Sequence, residues 1–182
     1  MLKNKFNCYC FCLLVFSCTM NDNTRTYKLV KTKFPETITN TKTKKSQVLS
    51  WNKPERWVVS DGSSMRLASF SVPYSKGGGD LSVIKLDGSG GGIEANINRW
   101  RRQLNLTPLS LVAIEKDITS KQGNLGNYKM IEIINSETND AFLCAIILLK
   151  DSTIFVKLSL KIEGIAEIKN EFITFCSSLN FD

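Results

Sequence analysis

The 182-residue chain contains no histidine. That absence removes Ser-His triads, imidazole acid–base chemistry and the commonest ligands for zinc and haem. Thiols are scarce where a fold needs them. Of six cysteines, Cys8, Cys10 and Cys12 sit in an N-terminal apolar run and Cys18 closes it, leaving Cys144 and Cys176. Two thiols cannot build a Cys₄ metal site, so no metal and no cofactor is expected. The carboxylates Asp80, Asp87 and Glu94 show no spacing that distinguishes a paired acid and base from solvated surface. Ser63, Ser64 and Lys85 supply the residue types of a Ser-Lys pair, but such pairs are recognised by geometry, not by composition. The chain is therefore expected not to be an enzyme. The N-terminal apolar run, residues 6–16, is also too short to span a bilayer.

What is present begins with that run. Lys3 and Lys5 precede it, and Val15-Phe16-Ser17-Cys18 follows. A charged start, a short apolar core and a small residue at its end have the anatomy of an export signal. The last four residues resemble a bacterial lipobox, although Phe16 is bulkier and Val15 replaces the more usual leucine. In that family of signals the invariant cysteine is acylated and becomes the new N-terminus. The resemblance implies a signal peptide over 1–17 and lipidation at Cys18. An ordinary secretory signal and an uncleaved anchor are the alternatives, and each places the remainder outside the cytoplasm, on the periplasmic face or the cell surface. An export compartment permits a Cys144–Cys176 bond, while each cysteine alone is most simply a small buried hydrophobe.

Residues 18–47 read as a lipidated cysteine and a disordered tether, rich in Thr, Asn and Lys and poor in apolar side chains. From residue 19 the tether carries seven basic residues against two acidic ones, while residues 51–182 balance at 15 and 15. The whole-chain charge of +7 thus belongs to the N-terminal part. A basic tether beside a lipid anchor favours an anionic membrane, at about 1 kcal/mol per cation near the surface. As a coil it reaches roughly 30 Å. An exported, neutral domain argues against nucleic acid as a partner.

Residues 81–106, LSVIKLDGSGGGIEANINRWRRQLNL, organise the rest. Leu81, Val83, Ile84 and Leu86 form a strand-like run, Gly88, Gly90, Gly91 and Gly92 allow a sharp turn, and a helix follows over about 91–105. Ile93, Ile97, Trp100 and Leu104 make one narrow apolar stripe on it. Arg99 and Arg102 project away from the stripe. Arg101 lies on one flank with Glu94 and Asn98, and Asn96 and Gln103 border the stripe on the other. A glycine loop at a helix start offers free N–H groups to an anion, with Asn96 near its mouth, or it only makes the turn. No Lys-Ser or Lys-Thr follows the glycines, and Ile93 stands where a dinucleotide fingerprint needs a third glycine.

Around this stretch the pattern predicts sheet partners. The domain is expected over 48–182, with Val48, Leu49 and Trp51 in a first strand, and Val58 and Val59 after WNKPERW. Residues 65–72 alternate as a half-buried strand, ended by Pro73 and the glycines at 77–79. Thr107-Pro108 stops the first helix, and residues 109–127 look irregular, with room for a short strand or helical turn. Residues 128–134 are a strand, 141–149 a buried strand in a hairpin with 154–162, and 164–179 a last helix striped by Ile165, Ile168, Phe172, Phe175 and Leu179. Two main helices on a mainly antiparallel sheet give an α+β layered domain.

WNKPERW, SSMRLASFSV and the GGGIEANINRWR segment, followed by a hairpin and a C-terminal helix, resemble a group of bacterial secreted proteins. Those proteins resemble in turn the PsbP-like superfamily, an α-β-α sandwich. The resemblance covers residues 48–181 and implies a non-catalytic accessory that docks on a larger assembly, an exported or membrane protein. It carries over no catalytic residues. The docking face would include Arg99 and Arg102, with Asn98 and Arg101 on the flank. The alternative is a small-ligand binder or enzyme built on residues 88–92.

Overall fold

The computed structural model describes residues 48–182. The signal segment 1–17, Cys18 and the tether 18–47 lie outside the described residues.

The described chain runs β1 (Leu49–Ser50), β2 (Val58–Val59), β3 (Ala68–Tyr74), β4 (Gly77–Asp87), α1 (Ile93–Gln103), α2 (Leu111–Asp117), β5 (Thr119–Gly123), β6 (Gly126–Asn135), β7 (Asp140–Leu148), β8 (Ser152–Lys161), α3 (Ile162–Ser178) and β9 (Asn180–Phe181). Seven strands form one sheet in the order β2-β3-β4-β8-β7-β6-β5, with every neighbouring pair antiparallel. β1 and β9 pair separately, tying the start of the domain to its end. Helices cover both faces of the large sheet, which gives the expected α+β sandwich.

The pleat of the strands explains the layers. Along β7, Ala141, Leu143, Ala145 and Ile147 point into the core beneath α3, and Phe142, Cys144 and Ile146 point into the core beneath α1 and α2. The whole predicted stripe of α3, from Ile165 to Leu179, is buried in the first core. The segment WNKPERW straps across it. Trp57 lies 5.2 Å from Phe175, ring centre to ring centre, and its Nε1 donates to Glu171 at 2.9 Å. Arg56 bonds Glu171 and Glu167 at 2.6 and 2.9 Å. In the second core, Ile97 and Trp100 of α1 and Leu104 at its end are buried, and Trp100 meets Phe155 edge-on at 6.1 Å. Burying such a side chain stabilises the fold by about 2–3 kcal/mol.

Several expectations need correction. β3 starts at Ala68 and runs through Pro73, while Met65 and Leu67 are exposed. β2 pairs only with Phe70 and Ser71, so the outer side of β3 has no strand beside Pro73, and a residue without N–H is tolerated there. The glycines at 77–79 open β4 instead of ending a strand. A Cβ on Gly79 would sit 2.8 Å from the Ser159 carbonyl oxygen, so glycine lets β4 and β8 close up. Residues 109–127 hold a full helix, α2, capped by Ser110, and the edge strand β5. Cys144 and Cys176 are free, buried and in different cores, with the sheet between them. A bond between them would have to cross that layer.

Candidate functional site

The glycine turn is built as a plug on the sheet. Gly88, Gly90, Gly91 and Gly92 all adopt positive φ, which is unfavourable for other residues. Gly88 N–H donates to the Asp151 carbonyl at 3.0 Å, and the Thr153 hydroxyl donates to the Gly88 carbonyl at 2.8 Å. These bonds pin the turn to the β7–β8 connection. At Gly90 a Cβ would lie 2.6 Å from the Phe155 ring, so the backbone rests directly on the second core.

Asn96 completes the turn from above. Its Nδ2 donates to the Gly90 and Gly92 carbonyls at 2.8 and 2.7 Å, and its Oδ1 accepts from Arg99 Nη1 at 3.1 Å. The side chain is buried and spent on bracing the loop. Beside the loop lies a shallow hollow of about 420 Å³, lined by residues 91–95 and by Leu111 and Glu115 of α2. Glu94 and Glu115 bring two carboxylates to it, and like charge opposes an anion at this helix start.

The remaining polar residues of α1 divide between two flanks. Asn98 is buried, not displayed: it donates to the Leu109 carbonyl and accepts from the Leu109 N–H, both at 2.8 Å. Arg101 is half-buried, and its Nε donates to the Thr107 carbonyl at 2.7 Å. These two hold the segment that leads from α1 to α2. Arg99 and Arg102 are exposed on the outer face. The structure thus brings Gly90, Gly92, Asn96 and Arg99 into one network, commits Asn98 and Arg101 to the other flank, and leaves Arg102 facing solvent.

A second polar cluster was not anticipated. On the face that carries α1, the strands beyond the helix present two cross-strand rows, Ser69–Ser82–Lys157 and Ser71–Asp80–Ser159. Lys157 lies at the border between these rows and the second core. Its Nζ sits 4.4 Å from the centre of the Phe142 ring and donates to Gln103 Oε1 of α1 at 2.8 Å. Burial lowers the Lys157 pKa from its ordinary value; Cys144 opposes the shift, Arg66 adds to it and Asp80 opposes it. Arg66 arches over Ser69 and pairs both nitrogens with both oxygens of Asp80 at 3.1 Å. The sequence signal was the alternation of Lys157, Ser159 and Lys161 along β8. Only the register shows that Lys157 meets Ser82 and Ser159 meets Asp80.

No family model matches the chain, and no curated protein matches it. Among solved structures, the chain is similar to the solution structure of cyanobacterial PsbP (CyanoP) from Synechocystis sp. PCC 6803. The two are 15% identical with a TM-score of 0.47, over 75% of this chain and 94% of that one. It is also similar to a crystal structure from Bacteroides thetaiotaomicron VPI-5482, at 13% identity and a TM-score of 0.44, over 74% of this chain and 45% of that one. Likeness at this level concerns the course of the chain and carries no residue from one protein to another.

Proposed function

We propose that the chain is a lipid-tethered, extracytoplasmic accessory domain that docks on an exported or membrane protein and catalyses nothing itself. The observation that carries this proposal is the filled glycine turn. Gly90 rests on Phe155 and the Asn96 amide bonds the Gly90 and Gly92 carbonyls, which supports reading residues 88–92 as a bend. The bend exists to set α1 on the sheet, with Arg99 and Arg102 outward. Two exposed arginines on a rigid helix suit a planar, acidic partner surface. Arg101 supports the same face by fixing the chain that leaves the helix. The lipobox resemblance at Cys18 and the basic tether support residence at a membrane.

A photo-crosslinker at Arg102 in cells tests the docking face. A single exported or membrane protein should be captured, and the Arg99→Glu/Arg102→Glu variant should lose it while remaining folded. In parallel, Cys18→Ser should move the protein from the membrane fraction to the soluble one. Capture of no partner, together with stabilisation of the purified chain by a small molecule at the loop, would overturn the accessory role.

A further inference from the structure

Lys157 is a half-buried cation on the sheet face that carries α1. Its stem and ammonium are drawn down onto the sheet, between the ring of Phe142 and the end of α1. A lysine placed only for solubility would extend into water and keep its rotamer freedom. Here that freedom is already lost, and the ammonium has exchanged part of its water for a neutral amide oxygen and a ring face. Both contacts suit a cation, yet neither carries a full negative charge. The nearest acidic candidate is engaged elsewhere: both oxygens of Asp80 are held by Arg66. Among the described residues, no carboxylate lies within ion-pair distance of Lys157. A half-buried cation without a counter-charge is costly, and an incoming anion relieves that cost.

The surroundings carry the matching chemistry. Ser159 is next but one along β8, on the same face and half-buried, and Ser71 stands exposed across β4 in the same row. Arg66 closes one side. On the other side stands Gln103 of α1. Lys157 and Arg66 against the single carboxylate of Asp80 give this patch a surplus of +1 inside a domain whose charges balance. It lies apart from the acidic hollow at the loop, separated from it by the length of α1.

We propose that this shelf between α1 and residues 60–67 binds a small oxyanion, a carboxylate or phosphate group, seated on Lys157 Nζ with the Ser159 hydroxyl and the Arg66 guanidinium as flanking donors. Binding is charge-assisted at Lys157 and needs no movement of the sheet. The site is independent of the docking face: it concerns the purified chain alone, and Arg102 takes no part in it.

The test is a titration of the purified full chain, isotopically labelled, with inorganic phosphate in one series and succinate in another, at ionic strength held constant with chloride. Amide resonances of Ser82, Lys157 and Ser159 should shift saturably in at least one series, and the stronger series names the class of oxyanion. Lys157→Met keeps an apolar stem over Phe142 and should weaken binding about tenfold or more, whereas Lys157→Arg should retain it. Lys116→Gln, at an exposed position of α2, should change nothing. Shifts that fail to saturate at tens of millimolar in both series overturn the proposal, as do saturable shifts that survive Lys157→Met in a folded variant.

Discussion

Replacing Gly90 by alanine, with Gly88→Ala as its twin, tests how the glycine turn is built. Both residues sit at almost the same positive φ, +58° and +60°. An alanine in that region costs about 1–2 kcal/mol in either place. The surroundings differ. A Cβ at Gly88 meets nothing within 4 Å, whereas a Cβ at Gly90 falls 2.6 and 2.8 Å from two atoms of the Phe155 ring and 3.4 Å from Thr153 Cβ. Phe155 cannot simply withdraw, because Trp100 holds it edge-on at 6.1 Å. Overpacking of this kind adds about 1–3 kcal/mol. The expected totals are about 1–2 kcal/mol for Gly88→Ala and about 2–5 kcal/mol for Gly90→Ala. At roughly 4 °C per kcal/mol, the second variant should melt about 4–12 °C below the first. Thermal and urea unfolding of both variants, followed by circular dichroism, measure the gap. Equal losses would refute the packed turn and would mean that the loop stands clear of the sheet, free to hold something else.

Further outcomes follow from single contacts. Glu167 accepts from the Ser75 N–H and from Arg56, and these bonds hold its carboxyl at about 2, below the ordinary 4.5. A depressed carboxylate stabilises the fold above its unfolded pKa and loses that contribution as pH falls toward the folded value. The stability advantage of the wild type over Glu167→Gln should therefore be constant above about pH 5 and shrink between roughly pH 4.5 and 2; a difference that does not vary with pH would contradict the bonded carboxylate. Asn98→Ala removes both bonds to Leu109 and should cost about 1–3 kcal/mol, read by urea unfolding, with faster hydrogen exchange at Leu109 as the specific signature. Burial pushes the thiols of Cys144 and Cys176 well above their ordinary pKa. Peptide-mapped labelling should find both unreactive in the native chain, reactive after denaturation and unbonded to each other; rapid native labelling would show that one core is open.

Much of the fold was legible because its signals are local. The stripes of α1 and α3 repeat every three to four residues, and the side chains that the spacing selects are buried, except Ile93, which is half-buried at the start of α1. The β7–β8 hairpin was readable from two apolar runs around Lys150-Asp151. Where reading failed, a distant neighbour decided the outcome. Pro73 reads as a strand breaker, yet the short reach of β2 leaves its outer side without a strand partner. The glycines at 77–79 read as a stop, yet they let β4 approach β8. Residues 109–127 lack strong periodicity because α2 is short and buries little beyond Ile114, and because β5 is a polar edge strand. Asn96 and Asn98 looked like surface polar residues near a site. Each instead bonds backbone carbonyls that the turn and the inter-helix segment would otherwise leave unpaired.

The sequence alone settled the longer strands, the two long helices and most of their inward stripes, and the lack of histidine chemistry. These follow from composition and from the two backbone periods, which any stretch of chain displays without reference to the rest. The tertiary structure alone decided which strand lies beside which, and with that the company each polar residue keeps. Ser82 meets Lys157 only because the sheet order sets β8 next to β4. Cys144 and Cys176 are parted only because the sheet runs between their two cores. Pairing across a sheet joins residues far apart in sequence through backbone hydrogen bonds that are nearly the same for every side chain, so no local pattern announces it.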